Sequence, residues 1–132
     1  MAKKNIFISY DYDNDKHYKN LLVAWDVNKE FDFGFTDHSA DVAINSDDAA
    51  AIKRAISAKI NDATILMCLV GKSTHKSKWV AWEISKAVEL KKKIVAVKIE
   101  STNTTPPGLL NVGAKWAMSF SFESIKKAID SV

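Results

Sequence analysis

The segment TILMCLVG at residues 64–71 decides the fold class of this chain. It is apolar without a break from Ile65 to Val70, and it stops at a glycine. A strand with one face in water alternates apolar and polar residues, whereas a strand of a parallel sheet is covered on both faces and is apolar throughout. We therefore predict that this segment is the middle strand of a parallel sheet with helices on both faces.

The sequence on either side of this segment alternates between strand and helix patterns. Ile6 to Tyr10 and Ile94 to Val97 are further short apolar runs, and phenylalanines at every second position from Phe31 to Phe35 predict a half-buried edge strand. Between these runs, apolar residues recur every three or four positions, as in amphipathic helices. Four helical stripes follow in chain order: Tyr18, Leu21, Leu22 and Trp25; Ile52, Ile56 and Ile60; Val80, Ile84, Ala87 and Val88; Ile125, Ala128 and Ile129.

The order of these patterns predicts a three-layer α/β/α architecture with a five-stranded parallel sheet and right-handed crossovers. The predicted last edge strand is Trp116 to Phe120, and the predicted irregular connection before it is Thr102 to Gly113, which holds both prolines. Asp37 to Ser46 is polar and is predicted to be a loop. Because 132 residues leave little room for a second core, we expect a single domain over residues 1–132.

Composition and charge argue against several classes of protein. The chain is 47% hydrophobic and 27% charged, which is typical of a globular domain rather than a disordered or fibrous one. Its formal net charge of +3 is too small to indicate nucleic acid or a membrane as the main partner. The single cysteine, Cys68, cannot form an internal disulfide, and no signal peptide or membrane-spanning run is visible. We expect a cytoplasmic protein.

Charge is distributed unevenly along the chain. Ten acids and three lysines lie between Asp11 and Asp48, whereas eight lysines and two glutamates lie between Lys72 and Lys98. Both sets are typical of ordinary solvated surfaces. The alternative is that they are complementary surfaces for head-to-tail self-association, or that the basic set captures a ligand that carries phosphate.

The predicted loops after the first three strands contain the candidate functional residues. In an open α/β sheet, ligands bind at the carboxyl ends of the strands, near the point where the strand order reverses. The three loops begin with Ser9-Tyr10-Asp11, with Thr36-Asp37-His38-Ser39 and with Lys72-Ser73-Thr74-His75. Side chains from these loops are therefore expected to meet at one edge of the sheet.

Glu83 is the outlier on the helix that follows the third strand. Helical spacing of about 100° per residue places it one turn after Trp79, at the edge of the apolar stripe. A half-buried acid beside aromatic rings is a functional candidate on physical grounds. The alternative is a structural role, in which Glu83 is the surface partner of Lys86 or Lys78.

Two sequence boxes resemble those of the Toll/interleukin-1 receptor (TIR) domain superfamily. Ile6-Phe7-Ile8-Ser9-Tyr10, followed by acidic residues, is similar to the opening strand of TIR domains. The second box, SKWVAWEI at residues 77–84, resembles the TIR helix motif with a tryptophan four residues ahead of the glutamate required for NAD⁺ cleavage. Their order and separation make the chain similar to bacterial TIR-like proteins of the Thoeris anti-phage defence type, from Asn5 to Ile129. The resemblance implies a flavodoxin-like TIR fold.

The resemblance also implies an enzyme that cleaves the nicotinamide–ribose bond of NAD⁺. Glu83 is then the catalytic carboxylate, which stabilises an oxocarbenium-like ribosyl centre. NAD⁺ is the substrate and no further cofactor is expected. No metal is expected either, because His17 and His38 lack metal-ligand spacing. The implied substrate contacts are ring stacking by Phe7, Tyr10 or Trp79, ribose binding by Ser9, Asp11 and Asp37, and pyrophosphate binding by Lys72 and His75.

The partners implied by the resemblance are other TIR domains, through self-association, and a separate effector that senses the nucleotide product. A phage-derived activator is a further expected partner. The product is derived from ADP-ribose, as the free molecule, a cyclic isomer or a conjugate, because all three arise from the same ribosyl centre.

Four other functions share this architecture. A phosphoacceptor receiver domain needs an aspartate at the end of the third strand, where this chain has Leu69-Val70-Gly71. A flavodoxin-like redox protein needs a phosphate nest after the first strand, where this chain has aspartates that repel phosphate. A nucleoside 2-deoxyribosyltransferase and a non-catalytic TIR interaction module stay open as alternatives.

Overall fold

A computed structural model describes residues 4–27, 33–37 and 49–132 of the chain. Two short 3₁₀ turns lie at Thr74–Lys76 and Pro107–Leu109. The strands and helices follow in the order β1 (Lys4–Ser9), α1 (Tyr12–Val27), β2 (Phe33–Asp37), α2 (Ala49–Asp62), β3 (Ile65–Val70), α3 (Lys78–Glu89), β4 (Lys93–Lys98), β5 (Lys115–Ala117) and α4 (Phe122–Asp130).

The strands form one parallel sheet in the order β2-β1-β3-β4-β5. The predicted α/β class, a parallel sheet combined with helices, is confirmed. All six residues of β3 are buried at the centre of the sheet, as its apolar run predicts. Because the chain moves to one side after β1 and to the other side from β3 onward, the carboxyl ends of β1 and β3 flank the point where the strand order reverses.

Helices cover both faces of the sheet. Alternate strand residues point to opposite faces, so Ile6 and Ile8 pack with Leu22 of α1 and with α4, whereas Phe7 packs with Ile56 of α2 and with α3. The predicted inward stripes of α2 and α4 are confirmed, since Ile56, Ile60, Ile125, Ala128 and Ile129 are all buried. The result is the predicted α/β/α layering, with α1 and α4 on one face and α2 and α3 on the other.

Two predicted boundaries are wrong. The last strand is Lys115–Ala117 rather than Trp116 to Phe120, because Ser121 already caps the following helix through a 3.3 Å hydrogen bond from the Ser124 N–H. The second strand continues to Asp37, which pairs with Ile8 in register, so the predicted loop does not begin there. Residues 38–46 of that predicted loop lie outside the described residues.

Helix α3 is capped at both ends by side-chain and backbone hydrogen bonds. The Ser77 hydroxyl accepts a 3.2 Å hydrogen bond from the Val80 N–H at the start of the helix. At its end, Lys91 takes a left-handed conformation with a φ of 59°. Its N–H donates to the Val88 carbonyl, and the Lys92 N–H donates to the Ala87 carbonyl. These caps fix the position of the helix that carries Glu83.

Across the described ranges, no helix has both the length and the apolar character that a membrane crossing requires.

Candidate functional site

Ser9 and Glu83, 74 positions apart in the sequence, meet in a buried hydrogen bond. The Ser9 hydroxyl donates to Oε1 of Glu83 at 2.7 Å. Ser9 is 0% exposed and Glu83 is 3% exposed. Because Ser9 is the last residue of β1, the pair lies at the carboxyl end of a strand that flanks the strand-order reversal. The structure therefore places a buried carboxylate where sheets of this type bind ligands.

The local structure explains why these two side chains meet. Ser9 follows Phe7 by two residues, so both point to the face of the sheet that α2 and α3 cover. On α3, Glu83 lies on the same side as Val80 and Ile84, and all three are buried. The small Ser9 side chain leaves room for the carboxylate and supplies its donor.

Glu83 is more deeply buried than the sequence predicts. Helical spacing places it at the edge of the apolar stripe, whereas the structure places it within the buried face of α3. The alternative role as a surface partner of Lys86 is not what the structure shows, because Lys86 pairs with Glu89 at 2.8 Å. An acid is stable in such a position only when hydrogen bonds compensate for the lost hydration.

Cys68 lies beside Ser9 on the neighbouring strand, in register with it. Burial raises the pKa of the Cys68 thiol, and the nearby charges of Glu83 and Asp15 raise it further. The thiol is therefore neutral, and the prediction that Cys68 acts as a small buried hydrophobe is confirmed. Its reactivity as a nucleophile is suppressed by the same environment.

Trp79 lies one turn before Glu83 and is partly exposed. Its ring meets that of Trp82 edge to face, with the ring centroids 5.9 Å apart. The ammonium groups of Lys53 and Lys86 lie 5.8 and 5.9 Å from the centre of the Trp82 ring. Of these contacts, the one between Lys53 and Trp82 joins α2 to α3, and the others lie within α3.

The other two candidates for ring stacking are buried in the core. Phe7 is 0% exposed and packs among residues of α2 and α3. Tyr10 is 7% exposed and packs on the opposite face of the sheet, with residues of α1 and α4. Phe7 and Tyr10 thus pack into the core on opposite faces of the sheet. Of the three candidate rings, Trp79 is the one that is partly exposed.

The structure places the polar candidates at the same end of the sheet without bringing them all to Glu83. Asp11 is partly exposed just before α1, and its carbonyl accepts a 2.8 Å hydrogen bond from the Asp15 N–H. Asp37 ends β2, and its side chain lies outside what the structure describes. Lys72 is exposed. His75 is half-buried, and among the described residues its Nδ1 has no hydrogen-bond partner.

Asp15 is a further functional candidate that the sequence motifs do not single out. It is 5% exposed on α1, where its Oδ2 accepts a 3.2 Å hydrogen bond from the Thr74 hydroxyl. Burial raises the pKa of Asp15, the Thr74 hydrogen bond lowers it, and the charge of Asp11 raises it. A signal was available, because Asp15 precedes Tyr18 and Leu22 at spacings of three and seven and so lies on their apolar stripe.

Asp15 also borders a cavity of about 320 Å³ at the carboxyl ends of β3 and β4. Within the described ranges, no group of three His, Cys, Asp or Glu side chains is placed to hold a metal ion. The cavity lining is Asp15, Tyr18, Gly71, Lys72, Ser73, Ile99, Glu100 and Asn103.

The fold and the buried Ser9–Glu83 pair define a parallel α/β domain with a carboxylate at the edge where sheets of this type bind ligands. The chain belongs to the family described as "Thoeris protein ThsB, TIR-like domain", whose sequence model matches residues 7–104. The matched residues include both Ser9 and Glu83. The TIR-like resemblance is therefore confirmed at the level of the family. No curated protein matches the chain significantly.

Three solved structures illustrate the same fold. A CMP N-glycosidase of Clostridium botulinum, BcmB, has a TM-score of 0.64 and 15% identity, and the match covers 98% of this chain and 100% of that one. The TIR domains of the activated Roq1 resistosome have a TM-score of 0.56 and 14% identity, over 73% of this chain and 57% of that one. A 2-deoxyribosyltransferase of Bacillus psychrosaccharolyticus has a TM-score of 0.55 and 15% identity, over 76% and 77%. At these identities, the likeness shows the fold alone.

Proposed function

We propose that this chain is a TIR-family enzyme that cleaves an N-glycosidic bond, with NAD⁺ as its substrate and Glu83 as its catalytic carboxylate. The observation that carries the proposal is the buried 2.7 Å hydrogen bond from Ser9 to Glu83 at the carboxyl end of β1. Membership of the Thoeris ThsB family supports it. The N-glycosidase and deoxyribosyltransferase activities named for two structures of the same fold are consistent with it.

The proposed reaction needs a fixed negative charge beside the ribose. The bond between C1′ of the ribose and the nicotinamide nitrogen breaks, and its electron pair leaves with nicotinamide. Positive charge then develops on C1′ and the ring oxygen. The carboxylate of Glu83 stabilises that charge, and the Ser9 hydrogen bond holds it in one orientation before the reaction begins. Water or a hydroxyl group adds to C1′ and releases a proton.

The remaining substrate contacts are part of the same proposal. Trp79 offers a partly exposed ring one turn from Glu83 and stacks on a ring of the dinucleotide. Asp11 and Asp37, at the ends of β1 and β2, bind ribose hydroxyls. Lys72 and His75, in the segment between β3 and α3, bind the pyrophosphate. Phe7 and Tyr10 support the site from the core.

The proposed biological role is to make a diffusible nucleotide signal in anti-phage defence. The signal is ADP-ribose, a cyclic isomer or a conjugate, and a separate effector senses it. Self-association through TIR–TIR contacts and a phage-derived activator complete the proposed set of partners. Opposite charges on the segments around α1 and α3 are suited to such association.

The test is to follow nicotinamide release from NAD⁺ by mass spectrometry, with and without lysate of infected cells as activator. The Glu83→Gln variant keeps the shape of the side chain and removes its charge, so we expect cleavage to fall by about 10² or more. Glu89→Gln is the matched control, because Glu89 lies on the same helix and its side chain is 66% exposed. Equal rates for wild type and a folded Glu83→Gln variant would contradict the proposal.

A nucleotide N-glycosidase is the second candidate, because the CMP N-glycosidase match covers both chains almost entirely. CMP and 2-deoxynucleosides should be included in the same assay to separate the two candidates. Release of cytosine, with NAD⁺ left intact, would favour this candidate. No turnover of any of these substrates, combined with formation of TIR assemblies, would favour a non-catalytic interaction module.

A further inference from the structure

Asp15 is a buried carboxylate with little compensation from its surroundings. Among the described residues, its side-chain donor is the Thr74 hydroxyl, whose oxygen lies 3.2 Å from Oδ2 of Asp15 and also 3.2 Å from the Leu69 carbonyl oxygen, so the two acceptors compete for one proton. In the part of the chain that the structure describes, no lysine, arginine or histidine forms an ion pair with it. Burial of a charge without a partner opposes folding. Such a group is more typical of a site than of a structural core.

The surrounding backbone accommodates this carboxyl group closely. A Cβ atom at Gly71 would overlap the Asp15 carboxyl group, so a larger residue at this position would have to displace that carboxyl group. The buried Thr74 hydroxyl accepts a 2.7 Å hydrogen bond from the Gly71 N–H and so ties the segment after β3 to the carboxylate. Asn103, also buried, donates from its side-chain amide to the Val70 carbonyl at 2.9 Å.

The cavity beside Asp15 is separate from the Ser9–Glu83 pair. It lies at the same end of the sheet, but between α1 and the segments that follow β3 and β4. Its apolar wall, Tyr18 and Ile99, packs with the core on the α1 and α4 face. Glu83, in contrast, lies on α3 with the core on the other face. The two carboxylates are therefore carried by helices that cover opposite faces of the sheet.

The lining of the cavity indicates the chemistry of its ligand. Two carboxyl groups, Asp15 and Glu100, face one ammonium group, Lys72, so an anion is disfavoured. Carboxylates bind vicinal hydroxyls of a ribose well. The Tyr18 ring and Ile99 offer a surface for a flat, apolar group. The volume of about 320 Å³ is enough for a molecule of nucleoside size.

We propose that this cavity is a second small-molecule site, which binds an uncharged nucleoside through its ribose hydroxyls on Asp15 and its base against Tyr18. The site is built around Asp15 rather than Glu83, and it shares Lys72 with the contacts proposed for the NAD⁺ substrate. The proposal stands whether or not Glu83 cleaves NAD⁺. Phosphorylated nucleosides bind more weakly, because their charge faces Asp15 and Glu100.

The test is a nuclear magnetic resonance titration of the Glu83→Gln protein with adenosine and with AMP. We expect saturable shifts for the Ile99 methyl groups and the Asn103 side-chain amide, and none for Ile84 on the other face. AMP should bind about tenfold more weakly than adenosine, and Asp15→Asn should weaken adenosine binding by about tenfold. Shifts of Ile84 without shifts of Ile99 would overturn the proposal.

A second variant tests the charge preference of the site without changing Asp15. Glu100 is exposed, so Glu100→Lys is expected to fold, and it should reduce the preference for adenosine over AMP by adding positive charge. Glu123→Gln, at an exposed position on α4, is the matched control and should leave both affinities unchanged. Absence of saturable adenosine binding at millimolar concentration, or an unchanged preference in Glu100→Lys, would also overturn the proposal.

Discussion

Glu83 and Asp15 are both buried carboxylates near the carboxyl end of the sheet, but they are held in different ways. Glu83 accepts a 2.7 Å hydrogen bond from Ser9, a residue of the sheet itself. Asp15 accepts a 3.2 Å hydrogen bond from Thr74, a residue of the segment between β3 and α3, whose proton the Leu69 carbonyl can also accept. Burial alone therefore does not distinguish the two acids. The length of the hydrogen bond and the element that carries its donor do.

The largest expected effect concerns the donor to Asp15. Thr74→Val keeps the shape of the side chain but removes a hydroxyl that the Gly71 N–H and the Asp15 carboxylate both use. Buried polar groups left without partners typically cost about 1–3 kcal/mol each. We expect the free energy of unfolding, measured by urea titration, to fall by about 2–3 kcal/mol.

Thr74→Ser is the matched control for this variant, since it keeps the hydroxyl and removes only a buried methyl group. It should lower the free energy of unfolding by about 1 kcal/mol. If the Val and Ser variants have the same free energy of unfolding, the hydrogen bonds of the Thr74 hydroxyl do not stabilise the fold. The donors to Asp15 and Glu83 could then not be distinguished by their effect on stability.

The two carboxylates also differ in how far the sequence predicts them. Glu83 stands out because a tryptophan precedes it by four residues in a family motif, and because helical spacing puts it near an apolar stripe. Its depth of burial and its contact with Ser9 depend on how α3 packs on β1, which a local pattern does not contain. Asp15 belongs to no recognised motif. It lies in the segment DYDND at residues 11–15, whose Asp and Asn residues favour a turn, although the structure places Asp15 on the buried face of α1.

Within the fold too, features that depend on a local sequence pattern are predicted well, and features that depend on packing between elements are predicted poorly. The apolar run of β3 and the stripe of α4 predict their elements well, because burial on both faces or on one stripe constrains every residue there. The end of β2 and the bounds of β5 are predicted poorly. They depend on how far the neighbouring strand continues, and on the Ser121 cap, which begins α4.

The next effect in size concerns the donor to Glu83. Ser9→Ala removes the hydroxyl that orients the carboxylate but keeps its charge. If the proposed reaction is correct, kcat for NAD⁺ cleavage should fall by about tenfold, less than for Glu83→Gln, because the charge stays near the substrate. KM should change little. Ser85→Ala, on the exposed side of α3, should keep the wild-type kcat. An equal loss in both serine variants would mean that Ser9 does not position Glu83.

The smallest expected effect is a dependence of stability on pH that isolates Asp15. Burial raises the pKa of Asp15 above its ordinary value of 3.8, so folding favours the protonated form of this group. The contribution of Asp15 to stability is therefore fully present below pH 3.8 and is lost as the pH rises through the higher pKa of the folded state. Asp15→Asn does not titrate, so it should gain stability relative to wild type over that pH range and keep the gain at neutral pH.

The measurement is urea unfolding of wild type, Asp15→Asn and Thr74→Ser at a series of pH values between acid and neutral. Thr74→Ser retains both the carboxyl group and a hydroxyl donor, so its pH dependence should follow that of wild type. A gain for Asp15→Asn that grows with pH would mean that the native protein retains a carboxylate that opposes its own folding, as expected for a group that binds a ligand. If the stability difference between Asp15→Asn and wild type is constant with pH, Asp15 has the same pKa in the folded and unfolded protein. Asp15 would then titrate like an ordinary surface acid, and this prediction would be wrong.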